Sequence, residues 1–247
     1  MAYPAIDRGQ IGGRMSASLR VLQPGESAPE LTLPRVNQQG VVSLAEFRAM
    51  GRSVLIAFMR GLHCPFSRRQ ISMLTSIKAR LEAEHAEIVV VVNTTLERAR
   101  LYFQYWPTEV VVAADPGVES HRSFGLGETA ILPDDTDPSI LRWPQTATMA
   151  EVLKYRVTGH PELPEPMNII AAMKTLNAKD GFQMTEADFH SARAHPALAI
   201  GQFLLDASGI VRWTFAEMPD SLSQMGRAPH ERDVVAAART ARSTCRP

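Results

Sequence analysis

The stretch Ser53-Val54-Leu55-Ile56-Ala57-Phe58-Met59-Arg60-Gly61-Leu62-His63-Cys64-Pro65-Phe66-Ser67-Arg68-Arg69-Gln70 decides how this chain folds. Residues 54–58 are continuously apolar and bounded by Gly51 and Gly61, the length and composition of a buried strand. After a turn at 61–63, Ile71, Leu74, Ile77 and Leu81 recur at helical spacing. Residues 87–92 predict a second buried strand, ended by Asn93. Thr94 or Thr95 then caps a helix carrying Leu96, Ala99, Tyr102, Phe103 and Trp106. Residues 110–114 predict a third strand, closed by Asp115-Pro116-Gly117 and followed by a short helix over 118–124. Strand and helix alternating three times imply parallel pairing and an α/β sheet.

Outward from this block the pattern changes. Residues 1–20 are polar and glycine-bearing and read as a flexible segment. Residues 125–201 carry no strand pattern. They show helical stretches at 149–156 and 167–176, and a third with Thr185 as N-cap and Asp188 three residues on. Strands return at 203–205 and 210–215, joined by Asp206-Ala207-Ser208-Gly209, with Gly209 where a hairpin needs positive φ. Alternation puts Val211, Trp213 and Phe215 on one face. A last helix over 231–242 turns Val234, Val235 and Ala238 inward. The expectation is a single domain over 21–247, with a helical insertion at about 127–199 before its final hairpin.

Composition narrows the function. Of 247 residues 45% are hydrophobic and 21% charged, enough apolar surface for an ordinary core. The 26 basic and 26 acidic side chains balance, which argues against nucleic acid or an acidic membrane surface as partner. Two cysteines exclude a disulfide scaffold and a four-cysteine zinc site. The apolar runs fall far below the roughly 20 residues needed to cross a bilayer. Residues 1–20 lack the continuous apolar core of a secretory signal, so a cytoplasmic location is expected. No metal is expected either: the seven histidines are scattered, His190 and His195 are five apart, and Asp134, Asp135 and Asp137 read as a solvated turn. Serine-hydrolase chemistry lacks its GxSxG elbow. Gly125-Leu126-Gly127 is far short of a dinucleotide fingerprint, so no nicotinamide or flavin site, and no organic cofactor, is expected.

The chemistry points to Cys64. It lies between the end of a buried strand and the first turn of a helix, where unpaired amides and the helix dipole favour a thiolate. Pro65 fits the first turn, since its missing N–H would have been unpaired there. Arg60, Arg68 and Arg69 bring positive charge, and the pattern does not say which faces the sulfur. Ser67, one turn along, can offer a hydroxyl; His63 either supports the thiolate or caps the helix and faces solvent. The bland alternative makes Cys64 a small buried hydrophobe. Cys245 is either a resolving thiol or an idle cysteine in the tail. Met149, Met167, Met173 and Met184, with Ile169 and Ile170, either line an apolar pocket over the thiol or pack the insertion onto the core.

FMRGLHCPFSRRQ, residues 58–70, resembles the FxRGxxCPxC signature of peroxiredoxin-like proteins of the AhpC/TSA or redoxin group. PGESAPEL (24–31), VVAADPGVESHRSFGL (111–126) and FLLDASGIVR (203–212) are similar to further segments of that group, in the same order. The resemblance implies a thioredoxin-like fold, a central mixed sheet flanked by helices. It also implies that Cys64 is a nucleophile attacking a small peroxide or disulfide, that an external thiol restores it, and that the chain forms homodimers. Three positions depart from the group's pattern. Gly61 stands where a peroxiredoxin has Thr or Ser, Ile200 where it has an arginine, and Ser67 where a CxxC motif has its second cysteine. The competing reading is a non-catalytic binding module whose insertion recognises a partner or small ligand.

Overall fold

Strand β3 (Ser53–Met59) is buried along its whole length because it has packed helices on both sides. Its side chains alternate: Leu55, Ala57 and Met59 enter one core, while Val54, Ile56 and Phe58 enter another. Strand β4 (Ala86–Val92) lies parallel beside it and is divided the same way. In the computed structural model, which describes residues 20–217 and 226–244, these two are joined by β5 (Val111–Ala114), β8 (Gly201–Leu205) and β9 (Val211–Ala216). The five-stranded order is β5-β4-β3-β8-β9, with β8 antiparallel to β3 and β9 antiparallel to β8. This is a thioredoxin-like α/β fold with a mixed central sheet. The flexible segment expected at the N-terminus lies, but for Arg20, outside the described residues, and so does Cys245.

One face of the sheet carries α2 (Pro65–Ser76), α3 (Lys78–Ala83), α4 (Leu96–Tyr105) and α9 (Glu231–Thr244). Val234, Val235 and Ala238 point into this core as expected. The other face carries the hairpin β1 (Thr32–Pro34) and β2 (Val41–Ser43), α1 (Leu44–Ala49) and the end of α5 (Glu119–Ser123). Thr95, not Thr94, caps α4 by accepting the Arg98 amide. The stripe from Ile71 to Leu81 is split between α2 and α3 at Ile77. There the Thr75 and Ser76 hydroxyls bond back to the carbonyls of Ile71 and Met73 and compete with the helix ladder.

Two expectations need correction. The segment between α5 and β8 holds strands, β6 (Ala130–Leu132) and β7 (Thr146–Thr148), paired in parallel; at three residues each they are too short to show a period in sequence. The same segment holds α6 (Met149–Lys154), α7 (Ile169–Lys179) and α8 (Glu186–Ala194). Val211 and Trp213 do not share a face. The β8–β9 register slips so that Leu204 opposes Trp213 and Leu205 opposes Val211, leaving Arg212 as an extra bulged residue. Val211 therefore packs with Leu205 under α1, while Trp213 reaches the α2 side with Leu204.

The segment between α5 and β8 covers the start of α2. Ala147, Val152, Val157, Ile169, Ala172 and Leu176 form a third apolar cluster with Cys64 and Phe66. Charge pairs fasten it. Arg69 of α2 meets Glu162 through Nε and Nη2 and Asp180 through Nη1 and the same Nη2, and Lys179 also meets Glu162. Further off, Arg98 of α4 forms a fork at 2.9–3.1 Å with Asp188 of α8, both nearly buried.

Candidate active site

Strand β3 ends at Met59, and five residues later Cys64 is the N-cap of α2, with φ −85° and ψ 113° and Pro65 as the first helical residue. Its own amide donates to Gly61 O at 3.2 Å, and its carbonyl receives the Arg68 amide at 3.2 Å, so the helix starts on this residue. The side chain is fully buried. It belongs to an apolar cluster with Phe66 and residues of β7, α6 and α7. A cation stands beside it.

That cation is Arg60. A terminal nitrogen of its guanidinium lies 3.8 Å from Cys64 Sγ, the other donates to Glu217 Oε2 at 2.5 Å, and Nε donates to Leu198 O at 2.9 Å. Burial works against the guanidinium charge, but Glu217 and the sulfur together outweigh it and hold Arg60 above the ordinary arginine range. The group is a permanent cation next to the sulfur.

The other expected supports are placed differently. Ser67 is buried under the site, and its Oγ accepts the Arg60 amide at 3.2 Å, bracing the β3–α2 turn rather than reaching the sulfur. Arg68 turns away: it donates to Leu62 O at 2.7 Å, to Asn177 at 2.7 Å and to Asp180 at 2.5 Å, and it lies 4.1 Å from the centre of the Phe182 ring. Those acceptors and the ring engage its donors and its flat face, so it ties α2 to α7 and adds no contact to Cys64. His63 is buried, with Nδ1 lacking a hydrogen-bond partner. Burial first, then the Arg60 charge, push its pKa down to about 4, so the ring is uncharged at neutral pH and supplies no cation to the sulfur.

Gly61 explains the first departure from the peroxiredoxin pattern. Its φ is +142°, and a Cβ built there would stand 2.9 Å from two atoms of the His63 ring and 3.0 Å from Asn93 O. The imidazole occupies the space that a threonine side chain would fill. The second departure has a counterpart. Ile200 is buried and apolar, yet its carbonyl accepts the Glu217 amide at 3.0 Å, and Glu217 is the residue that grips Arg60.

Sequence reading missed Glu217. It lies 157 positions from Arg60 and just past a strand, in no motif; the signal available was a lone carboxylate at the end of an apolar strand. It missed Asn93 and Thr94 as well. Both are buried at the end of β4, and their side-chain polar atoms have no partner. Among the described residues no group of three or more His, Cys, Asp or Glu side chains is arranged to hold a metal ion. No helix there is long and apolar enough to cross a membrane.

The AhpC/TSA family matches residues 24–151, just over half of the chain. Among solved structures, the peroxidoxin BcpB of Mycobacterium tuberculosis superposes with a TM-score of 0.51 at 10% identity, over 89% of this chain and 97% of that one. A hypothetical protein from Sinorhizobium meliloti 1021 superposes with a TM-score of 0.50 at 13% identity, over 91% and 87%. At such identities these likenesses speak for the fold alone. No curated protein matches the sequence. The matched residues include the buried strand β3, the turn at Gly61 and the cysteine that begins α2. This chain belongs to the AhpC/TSA family.

Proposed function

We propose that the protein is a thiol oxidoreductase in which Cys64 is the sole nucleophile and the substrate is a small peroxide or a disulfide. The observation that carries the reading is the contact of 3.8 Å between the Arg60 guanidinium and Cys64 Sγ at the start of α2. A fixed cation and the amides of a first helical turn both stabilise a thiolate, which is the attacking form of cysteine. The thiolate attacks one oxygen of the O–O bond; a sulfenic acid forms, the bond breaks, and the second oxygen leaves as an alkoxide or hydroxide that takes up a proton. With a disulfide, attack on one sulfur forms a mixed disulfide and expels the other as a thiolate. An external thiol, in preference to Cys245, condenses with the sulfenic acid to release water, and a second thiol then restores Cys64. A reducing cytoplasm supplies such a thiol. No metal or organic cofactor takes part in this scheme. Full burial of Cys64 means that side chains covering it must move aside for substrate to enter.

The test is direct. Hydrogen peroxide, an organic hydroperoxide and a small disulfide are each added to the full chain, with mass spectrometry of a dimedone adduct or mixed disulfide at Cys64. Modification at Cys64 by one of them is expected. Ser67→Cys is a second arm: with two thiols on the first turn of α2, a working redox site gains a reversible local disulfide. The second reading, a non-catalytic binding module, is favoured by one observation: the sulfur has no exposed surface. A chain whose Cys64 stays unmodified by all three oxidants, and whose S67C variant forms no disulfide, leaves only that reading.

A further inference from the structure

We propose that Glu217 is a positioning residue for the sulfur chemistry: it is the fixed counter-charge that keeps Arg60 buried beside Cys64, and it competes with the sulfur for that cation. The inference rests on the reading of Cys64 as the nucleophile. A guanidinium is planar, so its orientation is set once two of its nitrogens are fixed. Nε is fixed by Leu198 O at 2.9 Å and one terminal nitrogen by Glu217 Oε2 at 2.5 Å; the remaining nitrogen then has one direction left, toward Sγ at 3.8 Å. Glu217 is itself held at both ends. Its Oε1 accepts the Gly226 amide at 2.6 Å, and its own amide donates to Ile200 O at 3.0 Å. Its side chain has no exposed surface.

The need for such a carboxylate follows from the chemistry of sulfur. In the proposed cycle Cys64 is an anion only as thiolate; as thiol, sulfenic acid or mixed disulfide it is neutral. A buried guanidinium facing a neutral sulfur would have no counter-ion, which is strongly unfavourable. Glu217 supplies one at every stage. It also draws the cation partly away from the sulfur, because two anions around one guanidinium share it. The surrounding charges do not alter this balance. Arg68 on α2 is bound to Leu62 O and Asp180, Asp188 on α8 is bound to Arg98, and His63 between β3 and α2 is uncharged at neutral pH. The sulfur's neighbours from β7, α6 and α7 are apolar.

Removing the charge of Glu217 while keeping its shape should therefore leave the thiolate as the only anion within reach of Arg60. The measurement is the rate of Cys64 alkylation by iodoacetamide in the full-length protein at pH 6 and pH 9. Their ratio cancels any change in access. Glu217→Gln is expected to raise the pH 6 to pH 9 ratio about tenfold, the effect of withdrawing one like charge from a shared site. Glu217→Asp keeps the charge but draws it back by one methylene, and is expected to raise the ratio about threefold in the same direction; it serves should the glutamine variant not fold. A role confined to packing would lower the melting temperature and leave both ratios unchanged. An unchanged or lowered ratio, with Cys64 reactive in the parent chain, overturns this inference alone. A parent Cys64 inert to iodoacetamide at both pH values overturns the inference together with the reading it rests on.

Discussion

Gly61→Thr would restore the residue that the peroxiredoxin pattern has three positions before its cysteine, and the structure predicts that this chain cannot accept it. Two costs add. A side chain at φ +142° is in a region that only glycine occupies with ease, at about 1–3 kcal/mol. The first added carbon stands 2.9 Å from the His63 ring and 3.0 Å from Asn93 O. The ring is buried and Asn93 O is main chain, so neither can swing into solvent, and overpacking of this kind costs about 1–3 kcal/mol. The sum, about 2–6 kcal/mol, is a large part of the roughly 5–15 kcal/mol that holds a native protein. For a chain of this size, at about 2–4 °C per kcal/mol, it corresponds to a fall in Tm of about 4–24 °C. Urea denaturation of the parent, G61T and G61A measures it, and alanine already carries most of the cost because the clash is at Cβ. The cause is then separated by a cycle with His63→Ala. Removing the ring should make G61A cheaper by at least about 0.5 kcal/mol, while the backbone strain and the Asn93 contact remain. A G61T chain within about 0.5 kcal/mol of the parent, or perfectly additive effects of G61A and H63A, would refute the reasoning.

The same geometry sets further expectations. Arg69→Ala, or a rise from low to about 0.5 M salt, should speed alkylation of Cys64 several-fold, because the partly exposed pairs of Arg69 with Glu162 and Asp180 hold the covering segment to α2 and are screened by salt. Hydrogen bonding to Arg69 and Lys179 holds the Glu162 carboxyl down to about 2, so this fastening should respond to salt and not to pH between 5 and 8; equal rates at low and high salt count against it. Arg98→Met leaves the Asp188 carboxylate buried without its partner and should cost about 3–5 kcal/mol in urea denaturation, most of it recovered in the double variant with Asp188→Asn. His63 sets a pH dependence of stability. Its folded pKa of about 4 lies below the unfolded value near 6.5, so the unfolded chain binds the extra proton; stability is complete above about pH 6.5 and falls as the pH drops toward 4, by about 3 kcal/mol in all. His63→Gln should flatten that part of the profile; a His63→Gln profile parallel to the parent's between pH 6.5 and 4 would contradict the buried neutral ring.

Cys64, its place at the start of a helix and the α/β character of the chain were readable without coordinates, because each depends on neighbours in sequence. An apolar run of strand length, a Pro at N1, a Thr185 with Asp188 three residues on: all act within one or two turns of chain, and each appears where its spacing says. Short strands escaped for the converse reason. β6 and β7, with three residues each, are strands only because the other is beside them, and the bulge at Arg212 is a property of the β8–β9 register that alternation in one strand cannot report.

The sequence by itself determined the nucleophile candidate, the thioredoxin-like order of strands and helices, and a set of arginines near the sulfur. Which arginine lies beside it was decided only in three dimensions. Arg60 and Arg68 are equally close to Cys64 along the chain, but Glu217 and Leu198 O fix two nitrogens of Arg60 and so hold it beside the sulfur, while Asn177, Asp180 and the Phe182 ring engage Arg68 elsewhere. Charge acts through space and a buried ion goes where its counter-ion is, so the partner that settles the matter can lie 157 residues away, where no local spacing can reveal it.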